Sequence, residues 1–261
     1  MTMTETGTET AAKTVKVYSR PKTLIDRPWH FCPGCHHGIA HRLCAEVVEE
    51  MGLQDMTVGV GSVGCGVFSY DYFNFDGIGP SHGRSPAVAT GVKRVLPDRL
   101  VFTYQGDGDL AAIGTTEMVH AAVRGEKITI VFINNTVYGM TGGQMAPTTL
   151  MGQVTTTSPH GREAKQAGYP MRVCEMISTM EGAAYVARVA LFNPQQVTKA
   201  KRAIRKAFET QMQGLGFSMV EILSSCPTNW GLSPVEAGKH VENNLVPVYP
   251  LGEFKIPEGV K

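Results

Sequence analysis

Two stretches, LVFTYQGDGD (residues 100–109) and ITIVFINN (residues 128–135), decide the fold of this chain of 261 residues. Each begins as an almost unbroken apolar run, which is typical of a strand buried on both faces of a parallel sheet. Each ends in polar loop residues, Gly-Asp-Gly-Asp after the first run and Asn-Asn after the second. The carboxyl ends of parallel strands lie at one edge of a sheet, so the two loops are expected to meet there.

The rest of the chain alternates between helix and strand patterns. Apolar residues at Ile39, Leu43, Val47 and Met51 recur every four positions and predict a helix that ends near Gly52. Further helices are predicted over residues 86–96, 110–124 and 194–213, and further strands over residues 57–60, 185–191 and 217–223. This alternation predicts an α/β fold, a mostly parallel sheet with helices on both faces.

The two ends of the chain differ from its middle. Residues 1–27 are rich in Thr, Glu and Lys without apolar periodicity, so they are expected to form a flexible N-terminal arm. Residues 28–261 are expected to form a single domain with an extended C-terminal tail. That tail, residues 245–261, carries three prolines and is predicted to wrap over the surface.

The composition excludes several classes of protein. Hydrophobic residues at 43% and charged residues at 18% describe a globular chain, and a net charge of +1 leaves no electrostatic footprint for nucleic acid. No apolar run approaches the roughly 20 residues that cross a bilayer. The N-terminus lacks a secretion signal, so a cytoplasmic protein is expected, with its six cysteines reduced or bound to metal.

The two polar loops carry the ligands of a magnesium diphosphate site. Mg²⁺ prefers hard oxygen ligands in octahedral geometry. The Asp107 carboxylate, the Asn135 amide oxygen and the backbone carbonyl of Val137 could supply three of them, and phosphate oxygens and water could supply the rest. The glycines would let backbone N–H groups approach the phosphates, and the next helix would direct its positive end at them. The alternative is a pair of polar loops that bind nothing.

Four of the six cysteines are candidate metal ligands. They are Cys32, Cys35, Cys65 and Cys226. Four converging thiolates can hold a [4Fe–4S] cluster. They can also hold a structural zinc ion, although its usual signature has two Cys-x-x-Cys pairs and this chain has one. The spacing alone leaves both open. Cys44 and Cys174 lie among apolar residues and are expected to be core thiols.

A glycine pattern at residues 59–64, GVGSVG, matches a dinucleotide-binding fingerprint. The helix that should follow it is missing, because Cys65, an aromatic run and Pro80 come next. NAD binding is therefore not favoured.

The cysteine segments are more specific when they are taken together. WHFCPGC (residues 29–35) and CPTNWG (residues 226–231) occur with HGR (residues 82–84) and TGGQ (residues 141–144). With the Gly-Asp-Gly and Asn-Asn loops, whose spacing is similar to the thiamine-diphosphate motif, the chain resembles the β subunit of 2-oxoacid:ferredoxin oxidoreductases. It departs from the family at His36, because the family often has Gly-His where this chain has His36-His37.

The resemblance implies a thiamine-diphosphate-binding fold with three cofactors: thiamine diphosphate, Mg²⁺ and one [4Fe–4S] cluster on the four cysteines. It implies the cofactor-binding residues Gly64, Cys65, Gly106, Asp107, Gly108, Asp109, Asn134, Asn135, Tyr138 and Gly139. It also implies that the residues nearest the reaction are His82, Arg84, Met140 and Thr141.

The activity implied by the resemblance is the coenzyme A-dependent oxidative decarboxylation of a 2-oxoacid, with electrons leaving through the cluster to ferredoxin or a ferredoxin-like subunit. A separate α subunit would bind the thiamine pyrimidine. The overall resemblance favours 2-oxoglutarate. Residues 66–75 contain no Lys or Arg, which favours a branched-chain 2-oxoacid instead. The alternatives are a non-redox thiamine-diphosphate decarboxylase or synthase subunit with structural cysteines, and a zinc-stabilised assembly subunit.

Overall fold

A seven-stranded sheet forms the centre of the computed structural model, which describes residues 18–257. The strands of the whole fold are β1 (Thr57–Val60), β2 (Asp76–Ile78), β3 (Leu100–Gly106), β4 (Thr129–Asn134), β5 (Val137–Tyr138), β6 (Gln144–Met145), β7 (Ala183–Ala190), β8 (Phe217–Leu223) and β9 (Gly252–Lys255). The large sheet has the order β2-β1-β3-β4-β8-β7-β9, and β5 pairs with β6 in a separate hairpin. All neighbours in the large sheet are parallel except the edge strand β9.

Helices cover both faces of this sheet. They are α1 (His37–Glu50), α2 (Ser69–Tyr72), α3 (Ser85–Val95), α4 (Thr115–Val123), α5 (Ala164–Ala167), α6 (Val173–Ser178), α7 (Pro194–Met212), α8 (Pro227–Trp230), α9 (Pro234–His240) and α10 (Val246–Val248). Helices α1 and α7 bury Leu43 and Ile204 in one apolar layer. Helices α4 and α6 bury Met118 and Ile177 in the layer on the opposite face. The predicted α/β architecture is confirmed.

The sheet register brings the carboxyl ends of three strands together. Gly106 at the end of β3 lies opposite Ile133 on β4, and Asn134 lies opposite Leu223 at the end of β8. Every residue of β4 and of β8 is buried, as the apolar runs predict. The loops after these strands therefore start from one edge of the sheet.

The predicted helix over residues 110–124 is not regular α-helix over its first five residues. A π-helical turn covers Gly108–Ile113, and regular helix begins only at α4. A Cβ atom on Gly114 would lie 2.8 Å from the carbonyl oxygen of Gly83, so a neighbouring loop presses on the backbone at this point. Periodicity along the chain carries no information about such a contact.

Both ends of the described chain are packed more closely than predicted. Thr23 and Leu24 are buried, and Thr23 Oγ1 donates a hydrogen bond to the Ala45 carbonyl at 2.7 Å, so residues 18–27 are not wholly a free arm. Residues 1–17, the rest of that predicted arm, lie outside the described residues. The predicted C-terminal tail contributes β9, which pairs antiparallel with β7. Across residues 18–257, no helix combines the length and apolarity that crossing a membrane requires.

Candidate functional site

A cleft of about 230 Å³ opens where the loops after β1, β3 and β4 meet. Its lining includes most of the residues predicted to bind cofactor: Gly64, Cys65, His82, Gly106, Asp107, Gly108, Asp109, Asn135, Val137, Tyr138, Gly139, Met140 and Thr141. Val63, Ala112, Ile113 and His37 also line it and were not among the residues predicted to bind cofactor. A larger cleft of about 460 Å³, between α7 and β9, contains none of the predicted site residues.

Asp107 is a buried carboxylate at the inner end of the cleft. Its Oδ1 accepts a hydrogen bond from Gly108 N at 3.1 Å, and its Oδ2 accepts one from Thr148 Oγ1 at 3.2 Å. Burial raises the pKa of Asp107 to about 7, although these hydrogen bonds lower it. An anionic Asp107 is therefore costly unless a cation lies beside it, which is the situation of a magnesium ligand. Thr148 was not identified from the sequence.

Asn135 and Asn134 face in opposite directions. Asn135 lines the cleft, and its Oδ1 lies 3.5 Å from Val137 N. Asn134 does not line the cleft, because its Nδ2 donates to Glu221 Oε1 inside the sheet at 2.7 Å. Its Oδ1 accepts a hydrogen bond from the backbone N–H of Thr136 at 3.2 Å. The structure thus gives Asn134 a place behind the loop rather than on the cofactor side.

Asp109 borders the cleft, and neighbouring segments hold its carboxylate. Its Oδ1 accepts from Gly83 N at 2.9 Å and from Val63 N at 3.1 Å, and its Oδ2 accepts from Gln105 Nε2 at 2.6 Å. His82 Nδ1 lies 2.7 Å from Asp109 Oδ1, at an angle that is not that of a hydrogen bond. Asp109 therefore joins three loops around the cleft and lies beside the His82 ring.

The remaining residues predicted near the reaction occupy different positions. Arg84 pairs with Glu117 on α4 and does not line the cleft. Met140 lies in the cleft wall with 53% of its surface exposed. Thr141 Oγ1 donates to Gln144 Oε1 at 2.5 Å across the turn between β5 and β6. Met140 and Thr141 thus border the open side of the cleft, and Arg84 lies outside it.

Two of the four candidate cysteines, Cys65 and Cys226, lie beside Gly139. A Cβ atom at this position would lie 3.3 Å from the Sγ of Cys65 and 3.5 Å from the Sγ of Cys226, so both sulfurs approach one backbone position. Cys35 N donates to the Cys32 carbonyl at 3.0 Å and closes the Cys-Pro-Gly-Cys turn. Ser225 Oγ donates to the Gly34 carbonyl at 2.8 Å and joins this turn to the segment that carries Cys226.

The cysteine environment suits thiolates only when positive charge is supplied. Burial and, to a smaller degree, the neighbouring cysteines together raise the pKa of the Cys35 and Cys65 thiols to about 12. Within residues 18–257, no three His, Cys, Asp or Glu side chains converge closely enough to hold a single metal ion. Cys44 and Cys174 are fully buried in the apolar layers, where they were expected.

A polar second layer, which was not identified from the sequence, holds the cysteine loops. Asn229 Nδ2 donates to Cys226 Sγ at 3.2 Å and to the Gly139 carbonyl at 2.9 Å. His30 Nε2 donates to the Cys65 carbonyl at 3.0 Å. Because these side chains act through tertiary contacts, only their nearness to Cys32 and Cys226 in sequence could have indicated them.

The residues present fit a diphosphate with its cation. A Cβ atom on Gly106 or on Gly64 would meet nothing within 4 Å, so the backbone of both loops faces open space in the cleft. A buried carboxylate, an outward-facing amide and a backbone carbonyl are oxygen ligands of the kind that Mg²⁺ prefers. The donor set is therefore compatible with a metal-bound diphosphate at the carboxyl edge of the parallel sheet.

Comparisons with known proteins agree with this site. The family model described as thiamine pyrophosphate enzyme, C-terminal TPP binding domain, matches residues 58–222. The chain is 44% identical over 252 residues to the ketoisovalerate oxidoreductase subunit VorA of Methanothermobacter thermautotrophicus, covering 93% of this chain and 53% of that one. It is 38% identical over 218 residues to the 2-oxoglutarate synthase subunit KorB of Archaeoglobus fulgidus, covering 84% and 77% respectively.

A solved structure supports the same assignment. The 2-oxoglutarate:ferredoxin oxidoreductase from Magnetococcus marinus with 2-oxoglutarate, coenzyme A and succinyl-CoA bound aligns with a TM-score of 0.76 and 25% identity, over 95% of this chain and 90% of that chain. The chain belongs to the thiamine pyrophosphate enzymes, in the family of 2-oxoacid:ferredoxin oxidoreductase subunits. It spans about half the length of the ketoisovalerate oxidoreductase subunits that it matches.

Proposed function

We propose that this chain binds thiamine diphosphate, Mg²⁺ and one [4Fe–4S] cluster and catalyses, with a partner subunit, the oxidative decarboxylation of a 2-oxoacid. One observation carries the proposal: Gly139 lines the cofactor cleft and also lies against the sulfurs of Cys65 and Cys226. The organic site and the electron-accepting site would therefore share one backbone position. A non-redox thiamine enzyme has no need of that proximity.

One group of residues would bind thiamine diphosphate with its Mg²⁺, and a second group would bind the cluster. Asp107, Asn135 and the Val137 carbonyl would hold Mg²⁺, and the glycine loops would hold the diphosphate. Cys32, Cys35, Cys65 and Cys226 would hold the cluster, because four thiolates are its usual ligands. Thiamine diphosphate, when bound, would supply the nucleophilic carbon and the electron sink that decarboxylation of a 2-oxoacid requires.

The proposed reaction converts a 2-oxoacid and coenzyme A to acyl-CoA, CO₂ and one proton, and transfers two electrons to two ferredoxins one at a time. A partner subunit is needed because, among the described residues, no glutamate lines the cleft to contact the thiamine pyrimidine. Ferredoxin or a ferredoxin-like subunit would accept the electrons. We place the enzyme in the cytoplasm, where thiols stay reduced.

Two substrate classes are candidates. A 2-oxoglutarate synthase subunit and the 2-oxoglutarate-bound structure are among the relatives, in agreement with the preference for 2-oxoglutarate inferred from the sequence. Relatives named for ketoisovalerate are 44% and 46% identical, which favours a branched-chain 2-oxoacid. Of the residues described, no Lys or Arg lines the cleft, so a distal carboxylate would need a cation from the partner subunit.

The test is anaerobic purification of the complex, followed by assays of iron, sulfide and viologen reduction. We expect about four irons and four sulfides per chain and a reduction rate that requires both a 2-oxoacid and coenzyme A. Replacing any of Cys32, Cys35, Cys65 or Cys226 with Ala should remove the iron, and the matched Cys44→Ala and Cys174→Ala variants should keep it. Zinc in place of iron, with thiamine diphosphate still bound, would favour the non-redox alternative.

Rates with 2-oxoglutarate and with ketoisovalerate, compared as kcat/KM, decide between the substrates. The chain without its partner is expected to show no turnover, and robust turnover by it alone would contradict the shared active site.

A further inference from the structure

Two fully buried charges lie behind the proposed cation loop. Arg188 on β7 and Glu221 on β8 both have no exposed surface, and Arg188 Nε donates to Glu221 Oε2 at 2.8 Å. Burying such a pair costs desolvation energy that the ion-pair attraction often only balances. Apolar residues would fill the same space at no such cost. Stability alone therefore does not explain why this pair is buried.

Contacts other than the one with Glu221 also hold the Arg188 guanidinium in place. Its Nη2 donates to Glu175 Oε2 at 2.6 Å, and its Nη1 donates to Glu175 Oε1 at 3.0 Å and to the Pro250 carbonyl at 3.2 Å. The guanidinium also stacks on the rings of Tyr249 and Phe254. Its position is consequently fixed without Glu221, and it presents Nε to that carboxylate.

The second oxygen of Glu221 reaches the cofactor loop. Glu221 Oε1 accepts a hydrogen bond from Asn134 Nδ2 at 2.7 Å. Asn134, like Glu221, is fully buried. A carboxylate can only accept, so it determines which end of the Asn134 amide faces it. The amide oxygen of Asn134 must then face the loop that follows β4.

That amide oxygen supports a strained backbone position. Asn134 Oδ1 accepts from Thr136 N at 3.2 Å, and Thr136 is the one non-glycine residue of the described chain with a left-handed backbone, at φ +62°. β-Branched residues avoid this conformation, so it persists only when its surroundings hold it. Gln153 Nε2 also contacts Thr136 Oγ1 at 2.9 Å, and Thr149 donates to the Thr136 carbonyl.

Thr136 separates the two loop residues that would coordinate the cation. Its left-handed turn sets the direction of the Asn135 side chain on one side and of the Val137 carbonyl on the other. We propose that Glu221, held by Arg188, is a positioning residue for the cation site, because it orients Asn134 to stabilise the turn at Thr136. Glu221 touches neither cofactor nor substrate. The inference rests on the proposed function, since it concerns the same loop.

The experiment measures cation affinity rather than turnover. The intact complex is stripped with a chelator and titrated with Mg²⁺ at saturating thiamine diphosphate by calorimetry. In Glu221→Gln the new side-chain amide can donate as well as accept, so it no longer fixes which end of the Asn134 amide faces it. We therefore expect the Kd for Mg²⁺ to rise by about tenfold or more, the scale of a lost hydrogen bond to a charged group. The matched control is Glu175→Gln, which alters the same arginine from the outer side and should keep the Kd within about twofold.

A rescue separates positioning from a general loss of structure. Gly adopts a left-handed backbone without strain, so the double variant Glu221→Gln/Thr136→Gly should recover most of the lost affinity. If Glu221→Gln does not fold, Asn134→Ala and Asn134→Ala/Thr136→Gly make the same comparison while Glu221 stays paired with Arg188. An unchanged Kd in the single variants, or a loss that Thr136→Gly does not reduce, overturns the positioning role. A wild-type complex that binds no Mg²⁺ with thiamine diphosphate would overturn the proposed function itself.

Discussion

Asn229 donates a hydrogen bond from Nδ2 to the Sγ of Cys226 at 3.2 Å. The same amide nitrogen lies 2.9 Å from the Gly139 carbonyl, at the wall of the cofactor cleft. A donor to a cluster sulfur stabilises the more negative, reduced state of an iron–sulfur centre. One side chain therefore acts on the proposed electron acceptor and contacts the backbone beside the proposed electron donor.

The first prediction concerns the potential of the cluster. Asn229→Ala removes the donor, so the midpoint potential of the cluster should fall by roughly 20–60 mV, the range that a hydrogen bond of about 1 kcal/mol allows for a one-electron couple. A redox titration followed by electron paramagnetic resonance measures it. Asn243→Ala, at an exposed position, is the control and should leave the potential unchanged. A potential that rises in Asn229→Ala would contradict the assignment.

The second prediction concerns space at Gly139. A methyl group there would lie 3.3 Å from Cys65 Sγ, which is a tight contact, and 3.5 Å from Cys226 Sγ, which is an ordinary van der Waals contact. We expect Gly139→Ala to lower the iron content per chain by at least about half, because the Cys65 ligand must shift while its sulfur also binds iron. Iron and sulfide analysis after anaerobic purification checks it.

Gly38→Ala on α1 is the matched control for that substitution. A Cβ atom at Gly38 meets nothing within 4 Å, and Ala is preferred over Gly in a helix by about 1 kcal/mol. This variant should keep its iron and raise the melting temperature. Equal iron content in the two variants would mean that Gly139 does not face the cluster.

The third prediction separates binding from stability at Asp107. This carboxylate is buried, and burial raises its pKa, so it destabilises the cofactor-free protein. Asp107→Asn should raise the unfolding free energy of the cofactor-free chain by about 1–3 kcal/mol. The same change should abolish the rise in melting temperature that Mg²⁺ with thiamine diphosphate causes in the wild type. The exposed Asp98→Asn should alter neither quantity. A stabilisation by cofactor that survives in Asp107→Asn would exclude the carboxylate as a ligand.

The buried strands could be predicted from sequence because their signal is local. The apolar runs at residues 100–104 and 128–133 become β3 and β4 with small shifts in their ends, and their polar loops lie together. The edge strands β2 and β9 could not be predicted. They are three and four residues long and largely exposed, so they lack an apolar run.

The side-chain directions in the site could not be predicted because they depend on tertiary partners. Asn134 and Asn135 are adjacent in the sequence, yet Glu221, 87 residues away, turns the first inward. Asp109 was expected to bind cofactor, and the structure shows that it borders the cleft while its Oδ1 accepts hydrogen bonds from the backbone N–H groups of Gly83 and Val63. The motif therefore identifies the loop and not the task of each residue within it.

The fourth prediction uses the position of Arg84 to decide where a second substrate carboxylate would bind. Arg84 pairs with Glu117 outside the cleft, so it is not available as a cation for 2-oxoglutarate. Arg84→Ala should therefore change KM by less than about twofold for 2-oxoglutarate and for ketoisovalerate alike, the scale of an exposed ion pair. Steady-state kinetics of the complex measures both values. His82→Ala, at the cleft itself, should lower kcat instead. A KM that rises for 2-oxoglutarate alone in Arg84→Ala would mean that substrate draws the guanidinium away from Glu117. Glu117→Gln should then lower that KM, because it frees the arginine in advance.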